Sequence, residues 1–309
     1  MSGTPPLVSI GLPVRNGEKY LAGALASLLA QTYRNFELII ADNASTDGTE
    51  EICRTFAARD ERVRYTRNGA NIGVGRNHNL VFRSSTGTYF MWAAHDDVYA
   101  PRFIAACAAV LERDPSIVLA YPMITRIDDA GNEVRTFGIA KGRSTGAHDR
   151  FRSLILMDHT CDQMYGLMRS AVLRRTELHQ NYTDSDRTLL AEIALYGGFY
   201  EIPEPLFFHR VHAASSVAVY PDWRERMKVF EPTLKGEAVF PHWLQCAHYF
   251  RSIRRAPLGA YQRGRCYLHM GGWLLRYGRG LVKDLLVALR GRLVRRPVIG
   301  EALETSCSS

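Results

Sequence analysis

The chain opens with a regular exchange of apolar runs and helical periods. Val8-Ser-Ile-Gly-Leu-Pro-Val14 is a short apolar run that predicts a strand. Between Glu18 and Gln31, Leu21, Leu25, Leu28 and Leu29 recur at helical spacing. Phe36-Glu-Leu-Ile-Ile-Ala41 predicts a buried strand, and Asn43-Ala-Ser-Thr-Asp-Gly-Thr49 a turn whose small polar residues open a helix to about Ala58. Val63–Thr66 reads as a third strand, Asn71–Ser84 as a helix and Thr88–Ala93 as a fourth strand. Pro101 suits the first position of a helix reaching Arg113, and Ile117–Tyr121 is a further strand. Strands alternating with helices of this length predict βαβ units and a mostly parallel sheet. Such sheets bind ligands beyond the carboxyl ends of their strands. The polar clusters Pro13–Gly17, Asp42–Thr49 and His95-Asp96-Asp97 are therefore expected to share one crevice.

The second half is less regular. Gln163–Arg169 reads as a strand and Ser185–Tyr196 as a helix with apolar Leu189, Leu190, Ile193 and Ala194. Ile202–His209 is apolar and extended, but Pro203 and Pro205 limit it to an edge strand. Beyond Pro221 the pattern turns helical, with no internal repeat or low-complexity tract.

Charge changes this picture at one place. Residues 1–250 carry 27 Lys and Arg against 28 Asp and Glu, whereas residues 251–297 carry 12 against one. The cationic excess of the whole chain, +8, thus comes from one C-terminal segment. It is either a solvated Arg-rich face or a contact for an anionic partner. Trp273, Leu274, Leu281, Leu285, Leu289 and Leu293 recur there at near-helical spacing beside Arg276, Arg279, Lys283, Arg290 and Arg292. That pattern fits a basic helix lying in an anionic membrane surface; a helix packed on the domain with its arginines in water is the alternative. Few aromatics interleave with the arginines and no recognition motif is present, which argues against nucleic acid.

With 309 residues, 46% hydrophobic and 23% charged, the chain has the composition of a soluble globular protein. No apolar run reaches the length of a spanning helix. Met1-Ser-Gly-Thr-Pro-Pro shows neither a cationic start nor an apolar core of a secretory signal. Six scattered cysteines without a C-x-x-C pair read as reduced thiols, not as a disulfide frame or zinc site.

The first strand runs into Pro13-Val-Arg-Asn-Gly17, not into G-x-G-x-x-G, and no G-x-x-x-x-G-K-[ST] occurs, so dinucleotide and P-loop readings are disfavoured. Asp42 ends the second strand, where a carboxylate can accept bonds from a base or ribose or can simply organise a turn. Asp96 and Asp97 follow an aromatic strand. Adjacent carboxylates there repel unless a cation or a donor lies between them. Mg²⁺ or Mn²⁺ with a diphosphate would supply one; an ordinary Asp-Asp turn is the other reading.

Taken in order, Val8–Gly17, Ser27-Leu-Leu-Ala-Gln-Thr-Tyr33, Phe36–Thr49, Asn71-Ile-Gly-Val-Gly-Arg-Asn77 and His95-Asp-Asp97 resemble family 2 glycosyltransferases of the GT-A fold. The likeness covers about residues 7–125 and continues more weakly through Ser185–Leu190 and His209–Ser216. It implies an α/β GT-A fold with a mostly parallel sheet and a helical basic C-terminal extension. The expected organisation is a GT-A domain over 1–220, with a nucleotide-binding half to about 125 and an acceptor half over 126–220. The extension follows at 221–309. The implied reaction moves a sugar, with inversion, from a nucleotide diphosphate sugar to a hydroxyl of a glycan or lipid-linked acceptor. An inactive nucleotide-sugar-binding or membrane-tethering domain is the alternative, and the inner face of the cell membrane is the implied place for a cytoplasmic, peripheral protein.

Residue by residue, the resemblance sets Pro13, Asn16, Asp42, Arg76, Asp96 and Arg210 around the donor. It gives the divalent metal, Mn²⁺ or Mg²⁺, to Asp97 and His212. Where the family often has D-x-D-D this chain has Ala94-His-Asp-Asp, so the first carboxylate is absent. The family's base stands in an acidic pair three residues before a leucine. Ser185-Asp186 with Leu189 fits that spacing, with Asp184 as competitor. At a helix start the dipole is expected to lower the pKa of either. The acceptor surface is expected from the less regular half, including His159–Tyr165.

Overall fold

The computed structural model describes residues 4–139, 141–157, 160–213, 219, 226–227, 230–232 and 240–294, the side chains of 287–294 excepted. Strands β1 (Val8–Val14), β2 (Phe36–Asp42), β3 (Val63–Arg67) and β4 (Tyr89–Trp92) alternate with helices α1 (Glu18–Leu29), α2 (Thr49–Arg59) and α3 (Val74–Arg83). All four strands run parallel, with Val8 opposite Phe36 and Tyr89, and Leu38 opposite Val63. β1, β2 and β4 are apolar on both faces because helices cover both, which is why they read as unbroken hydrophobic runs.

The boundaries differ from the sequence reading where side chains capture the backbone. α3 starts at Val74 instead of Asn71, because Gly73 has a φ of 91° and Asn71 accepts the Gly73 N–H. Pro101 lies in a turn whose carbonyl accepts from the backbone and side chain of Thr32, so α4 begins at Phe103 and ends at Arg113.

Beyond β5 (Val98–Tyr99) the sheet turns mixed. Its order is β3-β2-β1-β4-β8-β6-β9-β5, with β7 (Glu133–Phe137) paired to β6 (Ile117–Ile127). β8 is only Leu167–Arg169; the expected strand over Gln163–Arg169 is half replaced by a 3-10 turn, Asp162–Tyr165, closed by Met164 N–H to Cys161 and Gly166 N–H to Gln163. β9 (Gly198–Arg210) lies parallel to β6 and is covered on its far side only by β5. Its register slips between Ile202 and Pro205, where prolines cannot donate to the ladder.

Helices α5 (Ala147–Leu156), α6 (Ser170–Leu173) and α7 (Ser185–Ala194) complete the second half. α8 (Pro241–Arg255) and the 35-residue α9 (Ala260–Val294) pack on α5 and α7 and share their core, burying Tyr249, Ile253, Cys266, Met270 and Trp273. Glycines do not break α9: at Gly280 a Cβ would meet the His242 ring at 2.6 Å, so that position is required for close packing. Five cysteines among the described residues are free thiols, and Cys307 lies outside those residues.

The stripe read from the leucine spacing is divided between two faces of α9. Trp273 and Leu281 point inward, while Tyr261, Leu268, Leu275, Val282 and Leu286 are exposed, Leu275 at 89%. Leu274 and Leu285 lie near the border at 36% and 45%, and the side chains of Leu289 and Leu293 lie outside the described residues.

Candidate active site

The loops after β1 and β2 are held to each other before any ligand is considered. Pro13 is buried within β1. Asn16 takes a left-handed φ of 53°; its N–H donates to Ser45 Oγ at 2.9 Å and its Oδ1 accepts the Thr46 N–H at 2.9 Å. Asp42 is fully buried. Its Oδ1 accepts the Ser45 N–H at 2.8 Å and its Oδ2 the Tyr65 hydroxyl at 3.0 Å, with Arg67 Nε 3.5 Å away. The Asp42 carboxylate thus organises the turn. Asn43, Asn68, Asn71 and Asn77 are joined side chain to side chain below the next loop. Arg76 makes a two-pronged contact with Glu231, at 2.9 and 2.7 Å, and is not directed into the crevice by any contact seen here.

The Asp96-Asp97 turn is different in kind. A Cβ at Gly17 would meet the His95 ring at 2.7 Å, so the β1 loop sits directly against this turn. Asp96 Oδ2 lies 3.0 Å from His212 Nε2, and the His212 ring tilts over Tyr20 at 4.8 Å. Burial pushes the Asp96 carboxyl up, but the His95 charge and the His212 bond outweigh it and hold Asp96 low. Asp97 is 2% exposed; its Oδ1 accepts the Arg210 N–H at 2.8 Å. Burial, Asp96 and Asp162 push it up to about 7 against the opposing pull of His209. The Arg210 guanidinium donates to the carbonyls of Asp96, Asp128 and Asp129 and stacks over Tyr20 at 4.9 Å, tying the acidic turn to the β6–β7 turn.

Three participants escaped the sequence reading. Asp162 is buried and lies 2.8 Å from Arg126 and 2.9 Å from His209 Nδ1. Burial raises its carboxyl, but His209 and Arg126 more than offset this. Burial likewise opposes the charged form of His209, and the Asp162 bond with the Asp97 charge still raises its pKa. Arg126 and His209 are register partners across β6 and β9, a neighbourhood no local spacing encodes. Asp162 belongs to the stretch expected to face the acceptor; His159 of that stretch, and 214–216 after His212, lie outside the described residues.

Asp186 sits half-buried in the first turn of α7 and accepts its bond at 2.8 Å from the Arg187 N–H. Its carboxyl is raised, not lowered as the helix dipole suggested. Burial is the main cause and Asp184 the second, and together they exceed the lowering bonds from the Arg187 N–H and the Cys161 thiol. A terminal dipole effect is worth only about 0.3–1 kcal/mol, so desolvation beats it. Asp184 is exposed, with a left-handed φ of 63°. The Tyr165 phenol reports how these groups converge. Burial raises its pKa, and Asp97, Asp96, Asp162 and Asp186 all push it further. One buried hydroxyl therefore feels four carboxylates from three separate segments.

The glycosyl transferase family 2 model matches residues 9–175. A Haemophilus influenzae uncharacterized glycosyltransferase is 26% identical over 70% of this chain and 68% of its own length. Uncharacterized glycosyltransferases of Rickettsia felis and Rickettsia prowazekii are 35% and 37% identical over 42% of this chain, and the match takes in 21% and 40% of their lengths. The chain thus spans well under half of these rickettsial relatives. S. aureus TarS 1–349 in complex with UDP-GlcNAc superposes with a TM-score of 0.64 at 15% identity, over 92% of this chain and 81% of that one. The Pyrobaculum calidifontis mannosyltransferase PcManGT, in complex with GDP-Man and Mn²⁺, gives 0.55 at 16% identity, over 95% and 76%. At such identities the likeness establishes the architecture alone.

Proposed function

The chain belongs to glycosyl transferase family 2 and has the GT-A fold, and on that premise we propose that it is an inverting glycosyltransferase using a nucleotide diphosphate sugar. The observation that carries this reading is that the 3-10 turn bearing Asp162 packs both on β4, which runs into the Asp96-Asp97 turn, and on α7, whose first turn carries the half-buried Asp186. A carboxylate whose basicity is raised by burial is a better acceptor for the proton of an attacking hydroxyl. Asp186 is the base in this proposal. Inversion follows from one direct attack opposite the leaving diphosphate. Pro13, Asn16 and Asp42 form the rigid wall on the nucleoside side, Asp96 and Arg210 hold the acidic turn, and Arg76 reaches the donor only if Glu231 releases it.

The donor set suits a divalent cation. Asp97 offers a hard oxygen. His212 keeps Nε2 on the Asp96 carboxylate, and its buried Nδ1 has no partner among the described residues. A carboxylate behind an imidazole is the usual arrangement that orients a ligating histidine. Asp97 and His212 would hold Mn²⁺ or Mg²⁺, whose charge offsets that gathering on the leaving diphosphate. UDP-GlcNAc and GDP-Man, bound by the solved relatives, are the donor classes to try first.

The proposed acceptor is a glycan or lipid-linked sugar at an anionic membrane face. No helix among the described residues is long and apolar enough to cross a membrane. The exposed row Tyr261, Leu268, Leu275 and Val282 on α9, accompanied by Arg276, Arg279 and Lys283, supports lateral attachment. Replacing Leu275 and Val282 by Ser should reduce sedimentation with anionic vesicles and leave the folded core intact.

The central experiment is a panel of UDP- and GDP-sugars with Mn²⁺, read by thermal shift and by nucleotide release. We expect one donor class to stabilise the protein and turn over, with activity lost in EDTA and lowered about 10²–10³-fold in Asp97→Asn. Stabilisation by no nucleotide sugar, or full activity in EDTA, defeats this assignment.

A further inference from the structure

Where α5 meets α9, three ligand-type side chains crowd one point. His148 Nδ1 lies 3.2 Å from His269 Nε2 and 3.3 Å from Asp149 Oδ1. The three ligand atoms lie within 4.8 Å of one another, the one such His/Cys/Asp/Glu cluster among the described residues. We propose that His148, Asp149 and His269 form a zinc-class metal site, separate from the sugar-transfer centre, that staples α9 to α5.

The ordinary alternative is two imidazoles sharing a proton beside an acid in the first turn of α5. Its weakness is arithmetic: His148 Nδ1 faces both an imidazole nitrogen and a carboxylate oxygen, and one N–H cannot serve both well. A cation accepts all three lone pairs together. Tetrahedral zinc with ligand bonds of about 2.0–2.1 Å places its ligands about 3.3 Å apart, the separation already present on two edges. On binding, the proton between the rings moves to the far nitrogen of the donating imidazole, and the fourth position is left to water.

The frame around the point is built. The His148 N–H donates to Gln262 Oε1 at 3.0 Å, Tyr261 meets the His148 ring edge-on at 5.9 Å, and the two imidazole planes lie 31° apart. Gly146 precedes the helix, and a Cβ there would come within 3.2 Å of Asp149 Oδ2. His148 is buried, His269 is partly open and Asp149 is exposed, so an ion can enter from solvent. Arg152 and Arg265 bring positive charge toward His269. Two imidazole nitrogens and one carboxylate oxygen match a zinc-class ion better than Ca²⁺ or Mg²⁺, which take oxygen ligands.

The test is calorimetric Zn²⁺ titration of full-length, chelator-stripped protein in an Asp97→Asn background, which removes the expected active-site ligand. One Zn²⁺ per chain should bind, raising the melting temperature. His269→Ala and Asp149→Ala, both away from the buried core, should each weaken uptake at least ~10-fold and abolish the thermal shift. Co²⁺ in place of zinc should give the visible absorption of a four-coordinate site, lost in His269→Ala. Absence of saturable zinc uptake, or uptake unchanged in both variants, overturns the proposal. Because no readout uses sugar transfer, failure here is distinguishable from failure of the proposed activity.

Discussion

The two sides of the crevice solve opposite problems. On the β1–β3 side every candidate polar group is already engaged: Asp42 by Ser45 and Tyr65, Asn16 by Ser45 and Thr46, Arg76 by Glu231. On the β4–β9 side, His212, His209 and Arg126 hold Asp96 and Asp162 low, but burial and the neighbouring carboxylates drive Asp97 up to about 7 and raise Asp186. A satisfied wall gives shape at little electrostatic cost. An under-satisfied cluster stores a demand for cations and protons, and chemistry belongs there. The fold keeps both by giving them separate strands.

The sharpest way to break this contrast is Asp186→Asn. Transfer should fall by about 10²–10⁴-fold, while donor affinity, followed by thermal shift, stays near wild type. Normal single-turnover transfer by this variant would move the chemistry elsewhere. Next in size is the support behind α7. Glu192 is fully buried and lies 2.6 Å from Arg255 and 3.2 Å from His248. Glu192→Ala removes one partner of the buried His248, which keeps Tyr182 at 3.1 Å and Glu177 at 4.0 Å, and should cost about 1–3 kcal/mol in denaturant unfolding. An unchanged midpoint would mean that α8 does not brace the site.

A smaller effect tests the electrostatics directly. Asp184 raises Asp186, so Asp184→Asn should lower the Asp186 pKa. A base works above its pKa; the acidic limb of the rate profile should therefore move to lower pH, with less than about tenfold change near neutrality. Asn tolerates the left-handed φ, so the fold should be unaffected. An acidic limb that stays in place would show that Asp184 does not tune the base. Smallest of all is Arg76→Ala. Losing a half-exposed ion pair should cost only about 0.2–1 kcal/mol and leave donor affinity within about threefold. A large fall in affinity would instead put Arg76 on the donor and blur the division between the two sides.

How much of this was legible follows from where each interaction closes. β1 and β2 could be read nearly residue by residue, because burial on both faces writes itself as consecutive apolar residues. The Asp96-Asp97 turn was visible for the same reason: it ends such a run. Arg126, Asp162 and His209 were not. They meet through the parallel register of β6 on β9 and a 3-10 turn between distant segments, so no window of sequence contains the set. The sign of the Asp186 shift was missed because the dipole is local and readable, whereas desolvation is contributed by neighbours from elsewhere. On α9, the leucine spacing gave one stripe; only the packing of α5 and α8 decides that Trp273 and Leu281 turn inward and Leu275 outward.

The bracing of α7 by α8 also sets an order of events on the ribosome. Residues 8–212 contain the sheet, the crevice carboxylates and His212, and they emerge before α8. Yet Glu192 lies on the helix that begins with Ser185 and Asp186, and its partners His248 and Arg255 arrive some sixty residues later. Until α8 clears the exit tunnel, that carboxylate has no counter-charge and α7 cannot settle in its final place. A nascent chain can therefore carry a nearly complete sheet and still lack a braced crevice until α8 has been made.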